Sequence, residues 1–540
     1  MKNIFLIFTF LLACISCQTI ITNNWNTYDE TVEVSENKKH PIKRMQFKLI
    51  QSKFNDKNTW FKPFEKELEK FSKEDYNNLK EFIIEKDIPT IQKFIISGEL
   101  TYESLTLFYL YRIKKFEFDK DRYLNSIISL NPDIINQARE KDNKKPNSIY
   151  SLYGIPILLK DNINYKGMST TAGSVALIDN NAEDAYVVKK LKESGAIILG
   201  KTNLSEWAYY FCNDCPLGYS AIGGQTLNPY GRKKFESGGS SSGSGVAISS
   251  NFSSVALGSE TSGSILSPSS LNSIVGLKPT IGLVSRTGIV PISSTLDTSG
   301  PMTKNVIDNI IVLNAITGYD KDDSFSVSKN RIDVETILTS TLKNKKFGVF
   351  KDLLNEPLYA EAIDKIKKEG GLIFEFNPPE INYNGFRKIL DVDMKNDLPK
   401  YLSKYSKNTI KNINEVIDFN LNDSSERAPY GQGIFKSIIL DNTSYKEITE
   451  IKNRIKNEGK RYFDEAIKKY ELDAILSINN YHASYAAGAY YPCLTIPMGY
   501  KESGVPSNLT FIGPSFSEEK LYQLGYAFEK ETNERIPPFN

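Results

Sequence analysis

Histidine is almost missing: 540 residues hold only His40 and His482. A multi-histidine metal site cannot be built from two. A Ser-His-Asp hydrolase would have to use one of them as its base. Acid–base chemistry near neutral pH then falls to a lysine or a carboxylate. Charge of one sign is missing too. Lys and Arg number 67 against 65 Asp and Glu, a net of +2, so no basic field exists to hold nucleic acid. Cysteine is sparse, at five. Cys212-Asn213-Asp214-Cys215 has metal-ligand spacing, but no second pair and no nearby His completes four ligands. It is taken as a loop detail, a disulfide being open to it in an exported protein, and no metal or cofactor is expected. The remaining composition, 40% hydrophobic and 24% charged, is that of an ordinary globular chain.

Met1-Lys2-Asn3 and the apolar run Ile4 to Ile15, 12 residues long, are too short for a bilayer anchor and suit a signal peptide. The run ends in Ala13-Cys14-Ile15-Ser16-Cys17, where a small residue precedes each Cys, as in a lipoprotein signal. Cys17 is the preferred lipidation site, because a polar chain begins soon after it. The expectation is an exported, lipid-anchored protein, periplasmic or at the cell surface, touching the membrane only through that anchor.

Residues 18–60 are mostly polar without a clear period and are expected to be a tether. Residues 61–85 carry Phe64, Leu68, Phe71 and Tyr76 at rough helical spacing, a helical extension. Further helices are expected at Pro89–Ser97 and Tyr102–Phe116, with Gly98 between them and Thr101 as N-cap. From Leu152 short apolar runs alternate with Gly/Ser clusters and helical stretches such as Asp184–Ser194, the texture of an α/β domain over 86–535. Residues 342–460 look helical. Strand texture returns at Ala474–Ser477 and Leu494–Pro497, followed by a last helix, Glu518–Glu529.

Two textual motifs fail on physical grounds. Gly195 to Thr202 spells a phosphate-binding loop, but its interior, Ala-Ile-Ile-Leu, is an apolar strand rather than a loop with inward amides. Gly239-Ser240-Ser241-Ser242-Gly243 spells a nucleophile elbow using Ser241 and His482, yet charged Arg232 to Glu236 stand where the preceding strand should be.

The Gly/Ser clusters belong to a larger ordered set. It comprises Gly154-Ile-Pro-Ile-Leu-Leu-Lys160, Gly200-Lys-Thr-Asn-Leu-Ser-Glu206, Gly223-Gly-Gln-Thr-Leu-Asn-Pro229, Ser237 to Gly245, Gly258 to Ile265, Val275 to Thr280 and Ser285 to Pro291. Tyr491 to Gly499 and Phe511 to Gly513 complete it. This set resembles the amidase signature family from about Asp87 to Glu529. The resemblance implies a large mixed central β-sheet covered by helices on both faces, with the helical extension in front.

It also implies a Ser-cisSer-Lys triad: Ser264 as nucleophile, Ser240 as the bridging serine after a cis peptide, and Lys160 as base. Ser240 and Ser264 lie 24 positions apart, the family's spacing; Ser241 would give 23. A lysine can serve as base only when burial lowers its pKa toward neutrality, and the apolar strand before Lys160 would carry it inside. Backbone amides of Thr261, Ser262, Gly263 and Ser264 would form the oxyanion hole. The implied reaction is hydrolysis of a carboxamide, on a small molecule or peptide, to an acid plus ammonia or an amine. Glu260 and Ser262 depart from the commoner Asp and Gly, and Leu266 stands where Arg is usual. Ser-Ser-Ser-Gly-Ser-Gly, Glu-Thr-x-Gly-Ser and Gly-Gly-Gln-Thr-Leu-Asn-Pro are similar to the peptide amidase branch, although Asp is more usual there at 262. The alternatives are an amidotransferase A-type subunit or a non-catalytic surface-binding lipoprotein on the same fold.

Overall fold

The computed structural model describes residues 24–406 and 409–539. The expected signal peptide, Cys14, Cys17 and the start of the expected tether lie outside the described residues. Among those described, no helix is long and apolar enough to cross a membrane.

The strands are β1 (Ile127–Leu130), β2 (Pro156–Lys160), β3 (Ile197–Thr202), β4 (Tyr219–Ser220), β5 (Gly224–Gln225), β6 (Val255–Glu260) and β7 (Val275–Lys278). Then come β8 (Thr298–Thr303), β9 (Lys346–Phe350), β10 (Leu372–Phe376), β11 (Ala474–Ile478), β12 (Cys493–Tyr500) and β13 (Pro506–Ile512). One 11-stranded sheet runs β1-β3-β2-β6-β8-β7-β12-β13-β11-β9-β10, with β4 and β5 a separate hairpin. It is mixed: β2 lies parallel to β3 and β6, while β6 and β8 are antiparallel. Every position of β2, β3, β6 and β8 is buried. Strands with no solvent face need layers on both sides, and helices supply them. The α/β architecture with a large mixed sheet is therefore the one the motifs implied.

Local chemistry sets the helix ends. Ser72 and Asp75 exchange hydrogen bonds in a capping box that opens Lys73–Ile83. Ile88–Ser97 stops at Gly98, whose φ of 87° suits a residue without Cβ. Thr101 caps Tyr102–Glu117 by accepting from the Ser104 amide.

Two expectations need correction. Residues 24–60 are no tether. Trp25, Met45, Phe47 and Ile50 are buried in the main core. Ile50 also serves as a docking point, its carbonyl accepting from Gln225 N and Asn125 Nδ2 at 2.8 and 2.9 Å. Apolar residues are few here and follow neither period, because much of the segment packs as irregular chain. The stretch 342–460 is not wholly helical either: it contributes β9 and β10 at one edge of the sheet. β10 is partly exposed, so its pattern gives little strand signal.

Candidate active site

β2 ends at Lys160 inside the protein. The preceding Ile157, Leu158 and Leu159 are fully buried, and the side chain of Lys160 follows them in. Its Nζ lies 2.7 Å from Ser240 Oγ, 2.9 Å from Ser259 Oγ and 3.1 Å from the Ser259 carbonyl. All three partners are neutral. Burial pulls the ammonium down to about 7, against the upward pull of Asp297 and Glu260. Asn162 Nδ2 donates to Ser259 Oγ at 2.8 Å, holding that hydroxyl in place.

Ser240 follows a cis Gly239–Ser240 peptide bond. The turn before it is packed tightly: Gly238 has φ of 69°, and a Cβ there would sit 2.6 Å from Pro268 Cα. Ser205 N donates to the Ser240 carbonyl at 3.0 Å. Ser241 N donates to the Ser264 carbonyl at 3.0 Å, so the two serine loops run side by side. Ser241 Oγ is committed to the Ser259 carbonyl at 3.1 Å and is wholly buried, which suits a brace rather than a nucleophile.

The Ser264 turn is held by one carboxylate. Glu260 Oε1 accepts from Gly263 N at 2.7 Å, and Oε2 from Ile265 N at 2.7 Å and Leu266 N at 3.0 Å. Charge-assisted bonds of this kind are about twice as strong as neutral ones. This narrows the expected oxyanion hole. The Gly263 amide is spoken for, and among the described residues only Thr261, Ser262 and Ser264 of the four keep uncommitted backbone N–H groups. Gly263 itself has φ of 93°, with Asn480 Nδ2 pressing where a Cβ would stand. Leu266 is buried and opens the helix Leu266–Leu271, so this position faces the core and offers no carboxylate clamp.

A cavity of about 390 Å³ reaches Ser259 and Thr261; Ser264 itself does not line it. Its floor includes Asp297, which accepts from Thr261 Oγ1 at 2.5 Å and from the amides of Ile292 and Ser293 at 2.8 and 2.9 Å. Burial raises the Asp297 carboxyl to about 6. The outer wall comes from the helix Phe386–Tyr405, through Asp397, Lys400, Tyr401 and Lys404. Glu260, Ser259, Asn162 and Asp297 carried no assigned role in the motif reading. Only Glu260 left a trace there, as a departure from the usual Asp.

The rejected motifs and remaining candidates fall elsewhere. Gly200, Lys201 and Thr202 lie within β3, with Lys201 Nζ paired to Asp161 Oδ1 at 3.1 Å, both fully buried. That is a core ion pair, not a phosphate cradle. His482 is stacked on Phe350, centroids 3.9 Å apart, with Nδ1 2.6 Å from Ser477 Oγ. Burial lowers it to about 4, so it is neutral at pH 7 and partnered away from Ser241. Cys212 and Cys215 form a disulfide, Cα atoms 5.8 Å apart, where the sequence reading preferred a loop detail. No group of three or more potential metal ligands occurs among the described residues.

The family model described as Amidase matches residues 105–479. A probable amidase of Arabidopsis thaliana is 36% identical over 477 residues, covering 84% of this chain and 92% of its own. The A-type subunit of glutamyl-tRNA(Gln) amidotransferase from Thermoanaerobacter pseudethanolicus is 31% identical, covering 84% of this chain and 97% of its own. Among solved structures, the native peptide amidase of Stenotrophomonas maltophilia superposes with a TM-score of 0.79 at 36% identity, covering 84% of this chain and 98% of that one. The chain belongs to the amidase family, and its motifs place it alongside the peptide amidase branch.

Proposed function

We propose that this protein hydrolyses a linear carboxamide through an acyl-enzyme on Ser264, with Lys160 as base and Ser240 as the proton relay between them. One observation carries the reading: a fully buried lysine, with no carboxylate in contact among the described residues, touches the hydroxyl of Ser240, whose loop is bonded to that of Ser264.

Neutral Lys160 takes the Ser240 proton as Ser240 takes the proton of Ser264. The Ser264 oxygen then bonds to the amide carbon, and the carbonyl electrons move onto oxygen. Amides of Thr261, Ser262 and Ser264 would donate to that oxyanion. When the C–N bond breaks, the proton held on Lys160 returns through Ser240 to the leaving nitrogen, which departs as ammonia or an amine. Water repeats the sequence on the ester, releasing the acid and restoring Ser264. A Ser-Lys pair is a recognised alternative to a histidine triad.

The peptide amidase neighbour supports a small-molecule or peptide amide as substrate, and the mixed polar wall of the cavity supports a polar acyl group. The amidotransferase relative supports a second reading, in which a partner chain would consume the released ammonia. We further propose export and lipidation at Cys17, tested by labelling with a fatty-acid analogue in the unaltered chain and in Cys17→Ser. The reaction is tested by ammonia release from a panel of peptide and simple carboxamides. Activity should vanish in both Ser264→Ala and Lys160→Ala; robust turnover in either would remove the triad assignment.

A further inference from the structure

We propose a second binding site, built by the N-terminal segment and independent of the Ser264 chemistry, that takes a phosphate-bearing anion. A cavity of about 440 Å³ opens between residues 24–28 and the helix Tyr102–Glu117. Four ammonium groups line it: Lys73, Lys114, Lys115 and Lys120.

These charges are not cancelled. Among the described residues, the only carboxylate lining the cavity, Asp119, is committed to Arg122, at 2.5 Å from Nη2 and 2.6 Å from Nε. Among the described residues, none of the four lysines has a carboxylate oxygen within ion-pair distance. Glu65 and Glu69 act on Lys114 only from further away. Lys115 is half-buried and faces cations alone, chiefly Lys80 and Arg122, and burial with this crowding lowers it to about 8. Aromatic faces hold three of the heads without neutralising them: Lys115 Nζ lies 4.7 Å from the Tyr76 centroid, Lys120 Nζ 4.7 Å from Tyr28, and Lys114 Nζ 5.8 Å from Phe61 and from Phe118.

An arrangement of several compact donors around a space, with the nearby guanidinium already engaged, calls for an anion with several acceptor oxygens. Phosphate meets that need, and lysine binds it as a point charge. Two sources share this chemistry, a soluble phosphate ester and a phospholipid headgroup. Six residues lie between Cys17 and Asn24, seven steps along the chain, a reach of at most about 25 Å at full extension. An acyl chain on Cys17 would therefore keep the cleft close to a lipid surface.

The test uses the full chain in its unacylated Cys17→Ser form. It is titrated with inorganic phosphate, and separately with vesicles of phosphatidylcholine alone or mixed with phosphatidylglycerol. Lys73→Gln and Lys120→Gln are the informative variants, because both residues are exposed. Each should weaken binding roughly fivefold, and more at low salt, with amide hydrolysis unchanged. Preference for the anionic vesicles, lost in the variants, supports the site with a lipid source. Saturable phosphate binding without vesicle preference, lost in the same variants, supports it with a soluble source. No binding of either, or binding indifferent to both variants, overturns the proposal.

Discussion

Lys160 and Lys201 are both fully buried, one strand apart in the same sheet, yet their surroundings differ in charge. Lys201 meets Asp161 at 3.1 Å, with the Ile163 carbonyl at 2.6 Å and Thr170 Oγ1 at 3.0 Å completing its donors. Asp161 opposes the downward pull of burial on that ammonium. Lys160 has only hydroxyls and one carbonyl, and burial dominates. A buried lysine with a contacting carboxylate is a cross-brace between strands; one with neutral partners is able to give up its proton.

Substitution should separate the two lysines most clearly. Lys160→Met should lower turnover by about a thousandfold or more. Its unfolding midpoint should hold or rise, since a desolvated charge has been replaced by an apolar chain of similar size. Lys201→Met should do the reverse. It strands Asp161 without its partner and should cost about 3–5 kcal/mol in denaturant unfolding, while any folded fraction keeps its chemistry.

pH sharpens the same contrast. The rate should rise as Lys160 loses its proton near pH 7. Between about 7 and the ordinary lysine value the unfolded chain binds the extra proton, so the Lys160 contribution to stability rises with pH there. Glu206 has the opposite sign. Burial raises it to about 8, so the folded state holds the extra proton. Its contribution is fully present below the ordinary carboxyl range and is lost as pH climbs toward 8. Glu206→Gln should flatten that fall in a pH series of unfolding curves. The smallest effect is expected at His482. His482→Gln should leave turnover within about twofold, because the ring is neutral, stacked and bonded to Ser477.

The sequence made the site more legible than its supports. Lys160, Ser240 and Ser264 stand in contiguous motifs whose spacing survives as text. The sheet was legible where strands are continuous apolar runs, as in β2 and β3. Asp297 was not found, and Glu260 was noted only as a departure from the usual Asp, because a carboxylate that bonds backbone amides in a turn leaves no periodic or compositional mark. The burial of Trp25, Met45, Phe47 and Ile50 was missed for a related reason, since irregular chain can fill a core without a repeat. Composition narrowed the choice of base: with only two histidines available, acid–base chemistry near neutral pH pointed to a lysine or a carboxylate. His482 is half-buried against the ring of Phe350, and desolvation lowers it to about 4.

Fluorophosphonate labelling, with the modified peptide located by mass spectrometry, tests the central claim most directly. An adduct on Ser264 is expected that forms faster as pH rises through about 7 and is lost in Lys160→Met. An adduct on Ser241, or labelling of Ser264 undiminished by Lys160→Met, would contradict it.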